Sequence, residues 1–104
     1  MQDRVIVEVD EDLTDLIPGF LRHKRADIDT IFEAVTRHDY AEISRIAHRV
    51  KGEGGSYGFD AMTEIGRSLE SAAAIRDDGA VTTLARQLLS YLDHVEIVFQ
   101  PSKE

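Results

Sequence analysis

Apolar side chains recur at three- and four-residue spacing over most of the chain, the signature of helices that bury one face. Leu13, Leu16, Ile17, Phe20, Leu21, Lys24, Ile28, Ile31, Phe32 and Val35 carry that spacing to about His38. Pro18 interrupts it. Proline is tolerated in a first turn but not in a helix interior, so the pattern predicts a short helix and then a long one starting near Ile17 or Pro18. Asp39 is suited to cap a second helix from Tyr40, with Ile43, Ile46, Ala47, Val50, Gly54 and Tyr57 on one stripe and a break at Gly58. Asp60 and Glu64 mark a third start. That helix puts Met62, Ile65, Gly66, Leu69, Ala72 and Ala73 on one face and ends near Asp77, Asp78 and Gly79, where glycine can take a left-handed cap. A fourth runs from Ala80 to Pro101 with Val81, Leu84, Ala85, Leu88, Leu92, Val95 and Val98 or Phe99 inward.

Four helices joined by short turns predict an all-α fold, an antiparallel up-down four-helix bundle. Residues 1–12 precede it as a short N-terminal arm, extended over Val5 to Val9 and then acidic at Asp10, Glu11 and Asp12, as a helix N-terminus favours. With 104 residues and 42% hydrophobic content the chain suffices for one core, and a single domain over 1–104 is expected. Gly54 and Gly66 both fall on inward stripes, so the second and third helices should approach closely.

Charge narrows the partners. The net charge of −8 opposes general binding to nucleic acid or anionic lipid. Between Arg37 and Lys51, however, four basic residues (Arg37, Arg45, Arg49, Lys51) face two acidic ones (Asp39, Glu42), which predicts a positive neighbourhood for an acidic partner. The same count is also that of an ordinary solvated helix face. The absence of cysteine removes disulfides and thiolate metal sites. The apolar patch at residues 5–9 is too short for a signal or membrane segment, so a cytoplasmic protein is expected.

The stretch from His48 to Gly58 gives up helix stability. If the second helix runs through it, each of Gly52, Gly54 and Gly55 costs about 0.8 to 1 kcal/mol relative to alanine. On a helical wheel His48 lies about 150° from the centre of the buried stripe, with Gly55 about 20° and Gly52 about 40° from it. His48 should therefore face water beside bare backbone. Lys51 follows three residues on, close enough to act on a group attached to the ring. A neutral imidazole is nucleophilic near neutral pH without a strong base. These groups suggest phosphoryl carriage, with Lys51 neutralising phosphoryl charge and Gly52 and Gly55 admitting a second protein's nucleophile.

The spacing His-x-x-Lys-Gly with further glycines, here His48, Lys51, Gly52, Gly55 and Gly58, resembles the signature of histidine-containing phosphotransfer domains of two-component phosphorelays. The resemblance implies that His48 accepts a phosphoryl group from a receiver-domain aspartate and gives it to another, with Lys51 and Gly52 supporting the site. The docking surface it implies takes in Gly52, Gly55, Ser44, Arg45 and Arg49. Implied partners are response-regulator receiver domains and a sensor histidine kinase, hybrid or otherwise, around a monomer. No cofactor is implied for this chain, because the magnesium used in transfer belongs to the receiver. The family often adds a polar residue from the next helix, and Glu64, Arg67, Glu70 and Ser71 all remain open for that place.

No nucleotide-binding motif is present, so the chain is read as a phosphotransfer intermediate without kinase activity of its own. Two alternatives stay open: the phosphoacceptor domain of a split kinase, and a helical adaptor that only binds partners. His23 and His38 read as surface or helix-end residues and His94 as a bundle-edge residue. No histidine has a glutamate three residues before it, which argues against a di-iron site. The glycine run follows a helix and lacks a Gly-Lys-Ser/Thr ending, so it is not a P-loop.

Overall fold

The computed structural model describes residues 4–101. Strand β1 (Val5–Asp10) leads into a 3-10 helix at Glu11–Leu16, followed by α1 (Ile17–Thr36), α2 (Tyr40–Tyr57), α3 (Asp60–Ala74), α4 (Asp78–His94) and strand β2 (Val95–Gln100). Pro18 sits in the first turn of α1, where its missing N–H is not needed. Asp39 and Asp77 cap α2 and α4 by accepting from the backbone N–H of Glu42 and Ala80 at 3.1 and 3.0 Å.

The three turns between helices close in the same way. Asp39, Phe59 and Asp77 donate backbone N–H back to Ala34, Gly54 and Ala72 at 2.9, 2.7 and 3.0 Å. The residue before each is left-handed: His38 (φ 55°), Gly58 (φ 88°) and Arg76 (φ 57°). These are Schellman closures, which satisfy the last helical carbonyls and free the next residue to act as a cap. Gly58 is thus a helix end, as its sequence context suggests. The expected glycine cap at Gly79 is replaced by Arg76, so α4 begins at Asp78 and Gly79 lies within its first turn.

Ile28, Ile31, Ile43, Ile46, Val50, Phe59, Met62, Leu69, Val81 and Leu88 form the centre of the core, all fully buried. Lys24 occupies the inward position its spacing predicted and is 1% exposed. Its ammonium lies 2.8 Å from Asp27 and bonds Glu53 across the α1–α2 seam, while Asp27 also accepts from Arg49. A charge so deeply placed is retained only with partners of this kind.

Two expectations are corrected. The fold is not all-α: Val5–Asp10 pairs in parallel with Val95–Gln100 in the register Val5↔Val95 to Asp10↔Gln100. The extended arm expected at Val5 to Val9 is therefore a paired strand with Val7 and Val9 buried, Glu11 and Asp12 of the arm open the 3-10 helix, and residues 1–3 lie outside the described residues. The fourth helix ends at His94, leaving Val98 and Phe99 about two-fifths exposed instead of inward. Val95, Ile97, Val98 and Phe99 are β-branched or aromatic and favour a pleated surface once a partner strand is available.

Helices α2 and α3 form the closest pair. A Cβ on Gly66 would lie 2.7 Å from the Lys51 nitrogen and 3.0 Å from the Ala47 carbonyl oxygen, and one on Gly54 would lie 3.0 Å from the Thr63 nitrogen. Both glycines are required for backbone contact, as their inward positions predicted. Thr63 adds a hydrogen bond, its hydroxyl donating to the Lys51 carbonyl at 3.1 Å.

Candidate functional site

Burial of Ile43, Ile46, Ala47, Val50 and Gly54 fixes the rotation of α2 and sends His48 outward, where its side chain is 74% exposed. The same close packing brings α3 beside it. Gly66 touches the α2 backbone between Ala47 and Lys51, and Glu70 lies one turn further along α3 on the same side. One oxygen of Glu70 lies 3.2 Å from Nδ1 of His48, and the other lies 2.7 Å from Nζ of Lys51. Glu70 is thus the hinge of a three-residue site.

The hydrogen bond from Lys51 holds the Glu70 carboxyl below the ordinary carboxylate range; burial opposes this, and the Lys51 charge and the His48 contact add to it. A group lowered in this way contributes stability above the unfolded carboxylate range and loses it as pH falls through the lowered value. Near neutrality Glu70 is therefore ionised and can only accept. The neutral imidazole must then carry its proton on Nδ1, which leaves the lone pair on Nε2.

Gly52 and Gly55 continue the surface from His48 along α2. Around a Cβ on Gly52 there is nothing within 4 Å, and around one on Gly55 the nearest atom is the Thr63 hydroxyl oxygen at 3.5 Å. Neither glycine has positive φ, so Gly52→Ala should raise unfolding free energy by about 0.4 to 1 kcal/mol, measured by chemical denaturation. Transfer to a partner should weaken in the same variant if the bare backbone admits that partner. Full transfer with the gained stability would remove any docking role for the small residue.

The other expected docking residues are arranged differently from a free basic surface. Ser44 is half-buried on α2. Arg45 bonds Glu42 at 2.6 and 3.0 Å, Arg49 is held by Asp27 with Glu53 nearby, and Lys51 is held by Glu70. Carboxylates from α1 and α3 thus offset the positive segment, a contribution invisible to a count along α2. Of the four open candidates on α3, Glu64 and Arg67 bond each other at 2.6 Å and Ser71 donates to the Arg67 carbonyl, which leaves Glu70 as the residue that meets His48. Its signal in the sequence was its place four residues after an inward glycine.

His94 contacts the Ser90 carbonyl at 2.7 Å, and His38, left-handed at the α1 end, lies 3.3 Å from Asp78, so each keeps the structural reading given to it. Among the described residues no group of side chains has metal-ligand geometry, and no helix is long and apolar enough to cross a membrane.

A family model for the Hpt domain matches residues 4–96. The chain belongs to the Hpt domain family. Searches of curated proteins and of solved structures return no match. Hpt domains are histidine phosphotransfer intermediates of phosphorelays, which work with receiver domains and histidine kinases. In this Hpt domain the matched region contains all of α1 to α4 and both sides of the His48 site.

Proposed function

We propose that this Hpt domain carries a phosphoryl group on Nε2 of His48 and passes it between receiver-domain aspartates. The observation that carries the reading is the Glu70 contact at 3.2 Å from Nδ1 of an imidazole that is otherwise open to solvent. In transfer, the Nε2 lone pair bonds to phosphorus while the P–O bond to the partner's aspartate breaks, and the electron pair leaves on that carboxylate. No proton has to be removed from Nε2. Positive charge developing on the ring is carried toward the Nδ1–H that faces Glu70, and Lys51, already drawn to the other Glu70 oxygen, meets the phosphoryl charge.

The remaining parts of the reading follow from the same site. The three short turns support an antiparallel up-down order of the helices within one domain, acting as a monomer in the cytoplasm without nucleic acid or membrane. Gly52, Gly55, Ser44, Arg45 and Arg49 form the docking surface for response-regulator receivers and a sensor histidine kinase, and the receiver supplies the magnesium. The domain has no kinase activity of its own.

Incubation of the purified chain with a receiver domain carrying labelled aspartyl phosphate should move the label to the chain within the receiver's own dephosphorylation time. A panel of receivers that all keep their label would contradict the reading. Lys51→Ala should leave melting within about 0.5 kcal/mol of the parent, because the side chain is partly exposed. Its transfer rate should fall by about tenfold, less than for a buried donor. An unchanged rate would return Lys51 to a purely structural ion pair.

A further inference from the structure

The α1 side of His48 carries a second polar cluster, separate from Glu70 and Lys51. The Lys24 ammonium, 5.7 Å from the centre of the Phe20 ring, bonds Asp27 at 2.8 Å and also Glu53. The other Asp27 oxygen accepts from Nη2 of Arg49 at 2.5 Å, and Nε of Arg49 lies 3.9 Å from Glu53. Two cations and two carboxylates thus close a ring across the α1–α2 seam. Exposure rises along it from Lys24 at 1% through Asp27 at 13% to Arg49 at 42%. One end is anchored in the core and the other meets solvent.

Stability does not account for this ring. Lys24 shares the buried stripe of α1 with Phe20, Ile28 and Ile31, where a well-packed apolar residue commonly serves a fold as well as a buried ion pair or better. What the ion pairs fix is the outer member. Asp27 cannot turn toward solvent without leaving a buried ammonium short of a partner, so it holds Arg49 in one place. Arg49 follows His48 directly in α2. A transient interface covers about 600 Å² of each partner, a disc of roughly 14 Å radius, so a domain seated over His48 also covers Arg49. Nη1 of Arg49 has no hydrogen-bond partner among the described residues, and a recess of about 340 Å³ lies beside it, lined by the four ring members with His23 and Ala26.

We propose that Asp27 is a positioning residue for receiver docking, a role that rests on the phosphotransfer reading of His48. It holds the Arg49 guanidinium at the seam so that the unused N–H groups receive a neutral acceptor of the receiver. That acceptor is a backbone carbonyl or an Asn or Gln amide, because Asp27 and Glu53 would repel a carboxylate entering the same recess. A planar fork already fixed in the free protein also avoids the ordering cost that a loose arginine meets on docking.

The probe is a receiver domain carrying labelled aspartyl phosphate, and the quantities read are KM and kcat for transfer to the full chain. Asp27→Ala should raise KM about fivefold and Arg49→Ala about tenfold, with kcat within about twofold of the parent. Loss of folded protein would instead lower kcat through the active concentration and leave KM in place. Because Asp27 acts through Arg49, the double variant should match Arg49→Ala alone. Arg49→Lys keeps the charge without the fork and should raise KM nearly as far as Arg49→Ala, which keeps the test intact if Asp27→Ala fails to fold. A KM unmoved by Arg49→Lys or by folded Asp27→Ala, multiplied losses in the double variant, or a KM change that disappears at high salt would overturn the proposal with the phosphotransfer reading intact. A parent chain that takes no label from any receiver would overturn that reading, and the role of Asp27 with it.

Discussion

Gly66→Ala is expected to lower the melting temperature by about 10 °C, followed by far-ultraviolet circular dichroism. The new methyl would meet backbone atoms of α2, at 2.7 and 2.9 Å from the nitrogen and Cα of Lys51, and backbone cannot turn aside as a side chain can. Overpacking of this kind costs about 3 kcal/mol at the upper end of its usual range, and alanine returns up to about 1 kcal/mol of helix propensity. The net loss of about 2 kcal/mol corresponds to that shift in a domain of this size. Separation of α3 from α2 would also draw Glu70 away from His48, so transfer should slow in the folded protein. Gly52→Ala, on the same helix pair, has the opposite sign because its Cβ enters open space. Equal stabilisation by both substitutions would mean that the α2–α3 contact is not made through Gly66.

The helical wheel located His48, Gly54, Gly66 and Lys24 on their correct faces, because each depends only on the 3.6-residue period of its own helix. What lay beyond the sequence depends on distances between elements. Glu70 could not be chosen over Glu64, Arg67 or Ser71 until the close crossing at Gly66 set which α3 turn faces His48. The positive neighbourhood around His48 was counted along one helix, and Asp27 on α1 and Glu70 on α3 changed its meaning. The strands escaped for a related reason. Leu88, Leu92 and Val95 keep the helical spacing into β2, and the partner that makes an extended chain favourable there lies ninety positions earlier, at Val5. Arg76 rather than Gly79 took the left-handed position because the Schellman closure, with Asp77 donating to Ala72, outweighs the local cost of a side chain at positive φ.

His48→Gln is the second large effect: phosphoryl acceptance should disappear while the fold remains. Glutamine has no nucleophilic nitrogen, since its amide lone pair is delocalised, yet its NH₂ can still donate to Glu70. The side chain it replaces is 74% exposed, so stability should stay within about 0.5 kcal/mol of the parent. Glu70→Gln, by contrast, keeps the nucleophile and removes the charge that fixes the Nδ1 proton, and should slow transfer without abolishing it. The decisive measurement mixes a labelled phospho-receiver with the parent chain and with His48→Gln, and then treats the products with acid and with base. Label is expected on the parent alone, lost in acid and kept in base as a phosphoimidazole requires; acid-labile label on folded His48→Gln would mean that His48 is not the phosphoryl acceptor.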